Sequence, residues 1–196
     1  MKIRLLAITQ PLVPDIQNCE QLIEYAGRKC TNTCSKTGKD TARFVRQRID
    51  ESHLTLLEHI QFTFEIEGIS RACLAQLTRH RIASFSVQSQ RYVKQNNQAV
   101  VMPESIKNNP FANMIFEQLI EYCFSAYTKL IDAGILPEDA RFVLPMAICT
   151  DLIMSMNLRE ILHFLELRTS EKSQWEIREL ANQIKEIVLS YCPNVI

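Results

Sequence analysis

The sequence predicts an α+β fold: a small mixed or antiparallel sheet flanked by helices, with a helical lobe. Three observations carry this. "HIQFTFEIEG" places Ile60, Phe62, Phe64 and Ile66 at alternate positions, as in a strand buried on one face. "FANMIFEQLIEYCFSAYTKLIDAG" is amphipathic at the helical period and ends at Gly134. Helix-like runs outnumber strand-like ones, and no βαβ unit with a glycine-rich turn occurs, so a Rossmann arrangement is unsupported.

The elements follow in order. Residues 3–9 read as a first strand, ended by Pro11 and Pro14. Residues 15–30 read as a helix with Ile16, Leu22, Ile23, Tyr25 and Ala26 apolar. Residues 35–40 form a loop and 41–52 a second helix. After the strand at 59–68, Ser70 caps a helix over 71–80. Residues 96–110 are loop-like, 111–134 a long helix, and 136–145 a short helix between prolines. Residues 148–156 form a strand. Asn157 caps a helix over 158–168, with Glu160 in a capping-box position, and 173–192 is the last helix.

Composition narrows the function classes. A length of 196 residues suits a single domain over 1–196. Lysine plus arginine equals aspartate plus glutamate at 22 each, so the chain as a whole is no nonspecific polyanion binder. Anion recognition must come from local arginines. With 4 glycines there is no glycine-rich phosphate loop. No run of about 18 apolar residues predicts a membrane span. The start, "MKIRLLAITQPLVPD", is broken by Arg4 and makes a poor signal peptide, so a cytoplasmic location is expected. The 7 cysteines are odd in number and scattered, which favours free thiols. Cys30 and Cys34 lack the second pair that a zinc site needs, and His53, Glu58 and His59 do not have metalloprotease spacing, so no metal is expected.

Cationic and polar groups concentrate in "RHRIASFSVQSQRY", from Arg79 to Tyr92. Gln76, Arg79 and His80 would share one face at the end of the helix over 71–80. Cations at a helix C-terminus offset its dipole, which accounts for Arg79, His80 and Arg81 alone. Beyond them, Ser84, Ser86, Gln88, Ser89 and Gln90 lead into Arg91, a segment able to wrap a phosphate or a base. In "NLREILHFLELR", Arg159, His163 and Glu166 fall on one helical face, while Ile161, Leu162, Leu165 and Leu167 point toward a core. That polar face reads equally as a surface ion-pair stripe or a ligand face. Arg141 sits among apolar residues in "DARFVLP", a setting that calls for an anionic partner. No G-x-S-x-G occurs, and no cysteine lies inside the arginine-rich stretches. The local chemistry is therefore anion and heterocycle binding without a protein nucleophile, and a cofactor would carry any reaction.

These stretches resemble the flavin-dependent thymidylate synthases. The likeness rests on Arg79-His80-Arg81 with Ser89 downstream, "HxTxxEHxxFTF" before it, and "ARFVLP", "NLRxxxHFxxLR" and "QWEIR" after it, covering at least residues 53–178. The resemblance implies methylation of dUMP to dTMP with FAD as cofactor and NADPH and methylenetetrahydrofolate as co-substrates. It implies FAD contacts from Thr55, Arg79, His80, Arg81, Val87, Asn157, Leu158, Arg159 and His163, with Glu58 nearby. It implies dUMP contacts from Gln76, Leu77, Thr78, Arg79, Val87, Gln88, Ser89, Gln90, Arg91, Arg141 and Arg168. Arg168 would be catalytic, against the uracil ring. The pockets would form between subunits of a homotetramer, with no covalent enzyme nucleophile, no nucleic acid and no membrane. Many members read Asn-Glu where this chain has Ser86-Val87, so an acid often assigned to the site is absent. Two other readings compete. One is a nucleic-acid module built on Arg79, Arg81, Arg91, Tyr92 and Lys94, against which zero net charge weighs. The other is a catalytically silent FAD- or nucleotide-binding tetramer.

Overall fold

A computed structural model describes residues 1–95 and 99–196. The first part of the loop expected at 96–110, residues 96–98, lies outside the described residues. The described elements are β1 (Lys2–Ile8), α1 (Cys19–Lys29), α2 (Thr41–Asp50), β2 (Gln61–Ser70), α3 (Arg71–Leu77) and β3 (Ala83–Val87). They continue with α4 (Glu104–Lys107), α5 (Pro110–Asp132), α6 (Pro137–Ala140), β4 (Cys149–Asn157), α7 (Leu158–Arg168) and α8 (Trp175–Tyr191). Short 3₁₀ turns occupy Cys34–Lys36, Leu54–His59 and Arg141–Val143.

The strands form one antiparallel sheet in the order β1-β2-β4-β3. Cross-strand pairs show the register. Lys2 meets Glu67 at 3.3 Å and Arg4 meets Glu65 at 2.6 Å. Thr63 bonds Ser155 at 2.9 Å, and the Gly68 N–H donates to Asp151 at 2.8 Å. Gly68 has φ +72°, a conformation that favours glycine.

The residues group into two compact units. One comprises Met1–Lys2, Ile66–Thr78 and Ser86–Leu152; the other comprises Ile3–Glu65, Arg79–Phe85 and Ile153–Ile196. In the first, Ile66, Ile69, Leu77, Phe124 and Tyr127 are buried. In the second, Phe62 and Phe64 are fully buried and stack with centroids 5.9 Å apart. Burying a side chain of this size contributes about 1.5–3 kcal/mol. α8 buries Ile177, Leu180, Ala181, Ile184 and Val188, one stripe at the helical period, and packs on α7.

Several elements differ from expectation: α4 is a short helix inside the loop expected at 96–110, α2 ends at Asp50 rather than 52, and β2 runs Gln61–Ser70 rather than 59–68. α1 begins at Cys19 rather than residue 15, because the Asn18 side chain accepts the Gln21 N–H at 2.9 Å and starts the helix there. α3 stops at Leu77 rather than 80; the Thr78 N–H makes its last i→i−4 bond, to the Leu74 carbonyl, and the Thr78 Oγ1 donates to the same oxygen. Gln76, Arg79 and His80 therefore do not share a helical face. The polar stretch at 83–87 is a strand, β3, with Ser84 and Ser86 exposed and Ala83, Phe85 and Val87 half-buried. Its alternation is real but short, and serine is a weak strand signal. Among the described residues, no helix is long and apolar enough to cross a membrane.

Candidate active site: two arginine-lined cavities

α7 builds the larger cavity. Asn157 starts it, its side-chain oxygen accepting the Glu160 N–H at 2.8 Å. From that start, Arg159, His163 and Glu166 line a cavity of about 1130 Å³ in the second unit, with Arg79, His80, Arg81, Asn157 and Arg168. Leu54, Ile82, Leu162 and Leu167 supply apolar wall. Leu162 and Leu167 were expected in the core with Ile161 and Leu165. Only Ile161 and Leu165 are buried there, and Leu167 stays 47% exposed. The cavity face of α7 is thus wider than its charged stripe.

His80 is the pivot of this cavity. It is 5% exposed and lies edge-on to Phe164, centroids 5.0 Å apart. Nε2 accepts from Arg168 Nε at 3.0 Å, and Nδ1 faces Glu160 Oε1 at 3.4 Å. An acceptor at Nε2 requires the neutral ring with its proton on Nδ1. Burial, then the Arg168 charge, push the His80 pKa below the ordinary histidine value, with Glu160 opposing. Arg159 pairs with Glu58 at 2.5 Å, both about half exposed at the rim. Among the arginines lining the cavity, Arg79, Arg81 and Arg159 are exposed and Arg168 is half-buried. Cationic rim and apolar wall together suit a large ligand with a flat ring and phosphate groups.

The first unit holds a smaller cavity of about 300 Å³, lined by Arg71, Gln90, Arg141 and apolar Phe142, Leu144 and Ile148. Glu138 organises its rim. Its carboxylate takes Arg91 Nε at 2.7 Å, and its carbonyl takes Arg141 Nε at 3.0 Å. The backbone of Gln88 is fixed at both ends: its N–H donates to Asp151 O at 2.9 Å, and its carbonyl accepts Arg71 Nη2 at 2.8 Å. Ser89 Oγ accepts the Arg91 N–H at 3.2 Å. These residues bring the Gln88–Arg91 stretch and Arg141 into one neighbourhood.

Other expected residues lie elsewhere. Leu158 and Leu77 are fully buried, and the Leu158 N–H is taken by Ile60 O at 2.8 Å. Thr55 is exposed on the 3₁₀ turn and Thr78 is exposed after α3. Gln76 is half-buried near the end of α3. Val87 ends β3, half-buried, and lines neither cavity. Sequence reasoning missed three residues. Glu160 was legible as a cap but not as the partner of His80. Glu138 looked like an ordinary acid at a helix start. Arg71 carried one signal, a cation at the first position of a helix, where the dipole disfavours it.

A family model described as thymidylate synthase complementing protein matches residues 11–194. A protein of Geobacter sulfurreducens named flavin-dependent thymidylate synthase is 44% identical over 161 residues, 81% of this chain and 69% of its own. Like-named proteins of Thermococcus onnurineus and Pyrococcus furiosus are 40% and 42% identical, over 92% and 84% of this chain and 76% and 70% of theirs. Among solved structures, a UMP/dUMP methylase, PolB, from Streptomyces cacaoi bound with 5-Br dUMP superposes with TM-score 0.87. It is 22% identical, with 99% of this chain and 92% of that chain covered, a likeness of fold.

Proposed function

The chain belongs to the thymidylate synthase complementing protein family, the flavin-dependent thymidylate synthases, and on that premise we propose that it methylates dUMP to dTMP. FAD is the flavin, methylenetetrahydrofolate the carbon donor and NADPH the reductant. The whole of residues 1–196 serves as one functional domain.

The observation that carries the reading is the larger cavity, where Arg79, Arg81, Arg159 and Arg168 surround an apolar wall. Arg79, Arg81, Asn157, Arg159 and His163 hold FAD there, the guanidiniums at its phosphates. Bound FAD would relay reducing equivalents from NADPH to the substrate. His80 has both ring nitrogens engaged inside the protein, so it acts through Arg168 rather than on the flavin. Arg168 is held rigidly and favours negative charge developing on the uracil. Gln88, Ser89, Gln90, Arg91 and Arg141 hold dUMP, with the arginines at its phosphate. No side chain forms a covalent bond to the substrate.

The protein assembles as a homotetramer whose subunits complete one another's sites. α5 supports this. Phe111, Ile115, Leu119 and Tyr122 form one stripe along it, 69%, 40%, 57% and 74% exposed. Visible absorbance of the purified protein, with an assay of dTMP formed from dUMP, methylenetetrahydrofolate and NADPH, tests the reading. Flavin bands and turnover are expected. A colourless protein that cannot be loaded with FAD overturns it.

A further inference from the structure

Glu160 is a buried acid at the third position of α7. In a capping box the acid at that position turns back to the N-terminal cap. Here Glu160 Oε1 instead faces His80 Nδ1 at 3.4 Å, with the two side chains only 10% and 4% exposed. Its backbone is pinned, the N–H being taken by Asn157 Oδ1 at 2.8 Å. The histidine is held on its other sides too. Phe164 and His163 stand edge-on to its ring, centroids 5.0 Å and 6.2 Å away. Arg168 Nε donates to Nε2 at 3.0 Å. The charged and titratable groups acting on His80 are thus Arg168, Glu160 and His163, all on α7.

A neutral imidazole has one N–H and one lone pair, and Arg168 is held only when the lone pair lies on Nε2. The ring alone does not enforce that tautomer; the partner of the other nitrogen does. A lone pair on Nδ1 would face the Glu160 carboxylate, negative against negative, where little water screens them. An N–H on Nδ1 is attracted to it instead. Burial and the Arg168 charge outweigh Glu160 and keep the ring neutral, so Glu160 selects a tautomer rather than a charged form. We propose that Glu160 is a positioning residue for the pyrimidine chemistry: it keeps the His80 proton on Nδ1, so that Nε2 accepts from Arg168 and holds the guanidinium toward the uracil. It acts through two neighbours and not on the substrate. This rests on the dUMP reading above, which puts Arg168 at the uracil.

Long-range proton–nitrogen NMR spectra of the FAD-loaded protein labelled with 15N-histidine test the assignment. The chain has 4 histidines, and the His80 signals are those lost in His80→Gln. The wild type should show the Nδ1–H form. Glu160→Ala should show the Nε2–H form or a mixture, and kcat for dTMP formation should fall at least about tenfold while KM for dUMP changes less than about threefold. Glu160→Gln still offers a carbonyl oxygen to Nδ1–H and should keep the wild-type tautomer and most of kcat. If Glu160→Ala does not fold, Glu160→Asp, which draws the carboxylate back by one methylene, replaces it with the same expectations. An unaltered tautomer in the Ala or Asp variant overturns the proposal, as does an unaltered kcat. A loss of kcat matched by an equal loss of flavin binding would assign Glu160 a purely structural role and also overturn it. If the FAD-loaded wild type forms no dTMP, the thymidylate synthase reading fails, and the tautomer spectra alone decide whether Glu160 sets His80.

Discussion

Arg168 donates from Nε to Nε2 of His80 across 3.0 Å, which fixes the histidine as a neutral acceptor beneath the arginine. The two are 88 positions apart in the chain. Protonation at Nε2 would set a donor against a donor and push Arg168 out of place. An unfolded chain binds a proton on this histidine near pH 6.5; the folded protein does so only at lower pH. Below about pH 6.5 the unfolded state therefore carries more protons, and stability falls as pH drops toward the folded pKa. His80→Gln keeps an acceptor for Arg168 and removes the titration. Thermal melts of the wild type should lose more between about pH 7.5 and 5.5 than those of the variant. An equal loss would rule out His80 as the source.

Arg168 is placed at the cavity by His80 and by the end of α7. Arg168→Ala should keep bound flavin while dTMP formation falls about 10²–10³-fold, the scale of losing one oriented charge stabiliser. Flavin absorbance and a turnover assay read the two effects separately. Normal turnover in the variant would remove Arg168 from the chemistry.

The Arg159–Glu58 pair is about half exposed, so it adds little to folding. Glu58→Gln should change stability by less than about 1 kcal/mol in urea denaturation. Arg159→Ala should also fold normally, yet bind FAD more weakly in a fluorescence titration. A stable Arg159→Ala protein with unaltered FAD affinity would contradict the placement of FAD phosphates at this rim.

Leu119 lies in the middle of the exposed stripe of α5. Leu119→Asp puts a charge where subunits should meet, and burying an unpaired charge is costly. Light scattering after size-exclusion chromatography should show a tetramer for the wild type and smaller species for the variant. A wild-type protein that elutes as a monomer would refute the assembly.

Much of this was legible in the chain. Alternation from Ile60 to Ile66 marked β2, and all four residues are fully buried. Asn157 and Ser70 were readable as caps, and their side chains accept the N–H of Glu160 and Cys73. The face of Arg159, His163 and Glu166 was visible from spacing, and the three share one cavity. The end of α3 was not legible, because no glycine or proline follows Leu77 to mark it. Nor was β3, whose few half-buried side chains carry too little hydrophobic pattern.

The sequence by itself determined the elements with long periodic patterns, the family, and the stock of arginines from which anion sites could be made. Tertiary structure decided which arginine meets which partner. Glu58 serves Arg159, Glu138 serves both Arg91 and Arg141, and His80 serves Arg168. Arg71 is left with a backbone carbonyl. The physical reason is range. Periodicity and capping act over a few residues along the chain, whereas ion pairing and burial act over a few ångströms between segments that only folding brings together.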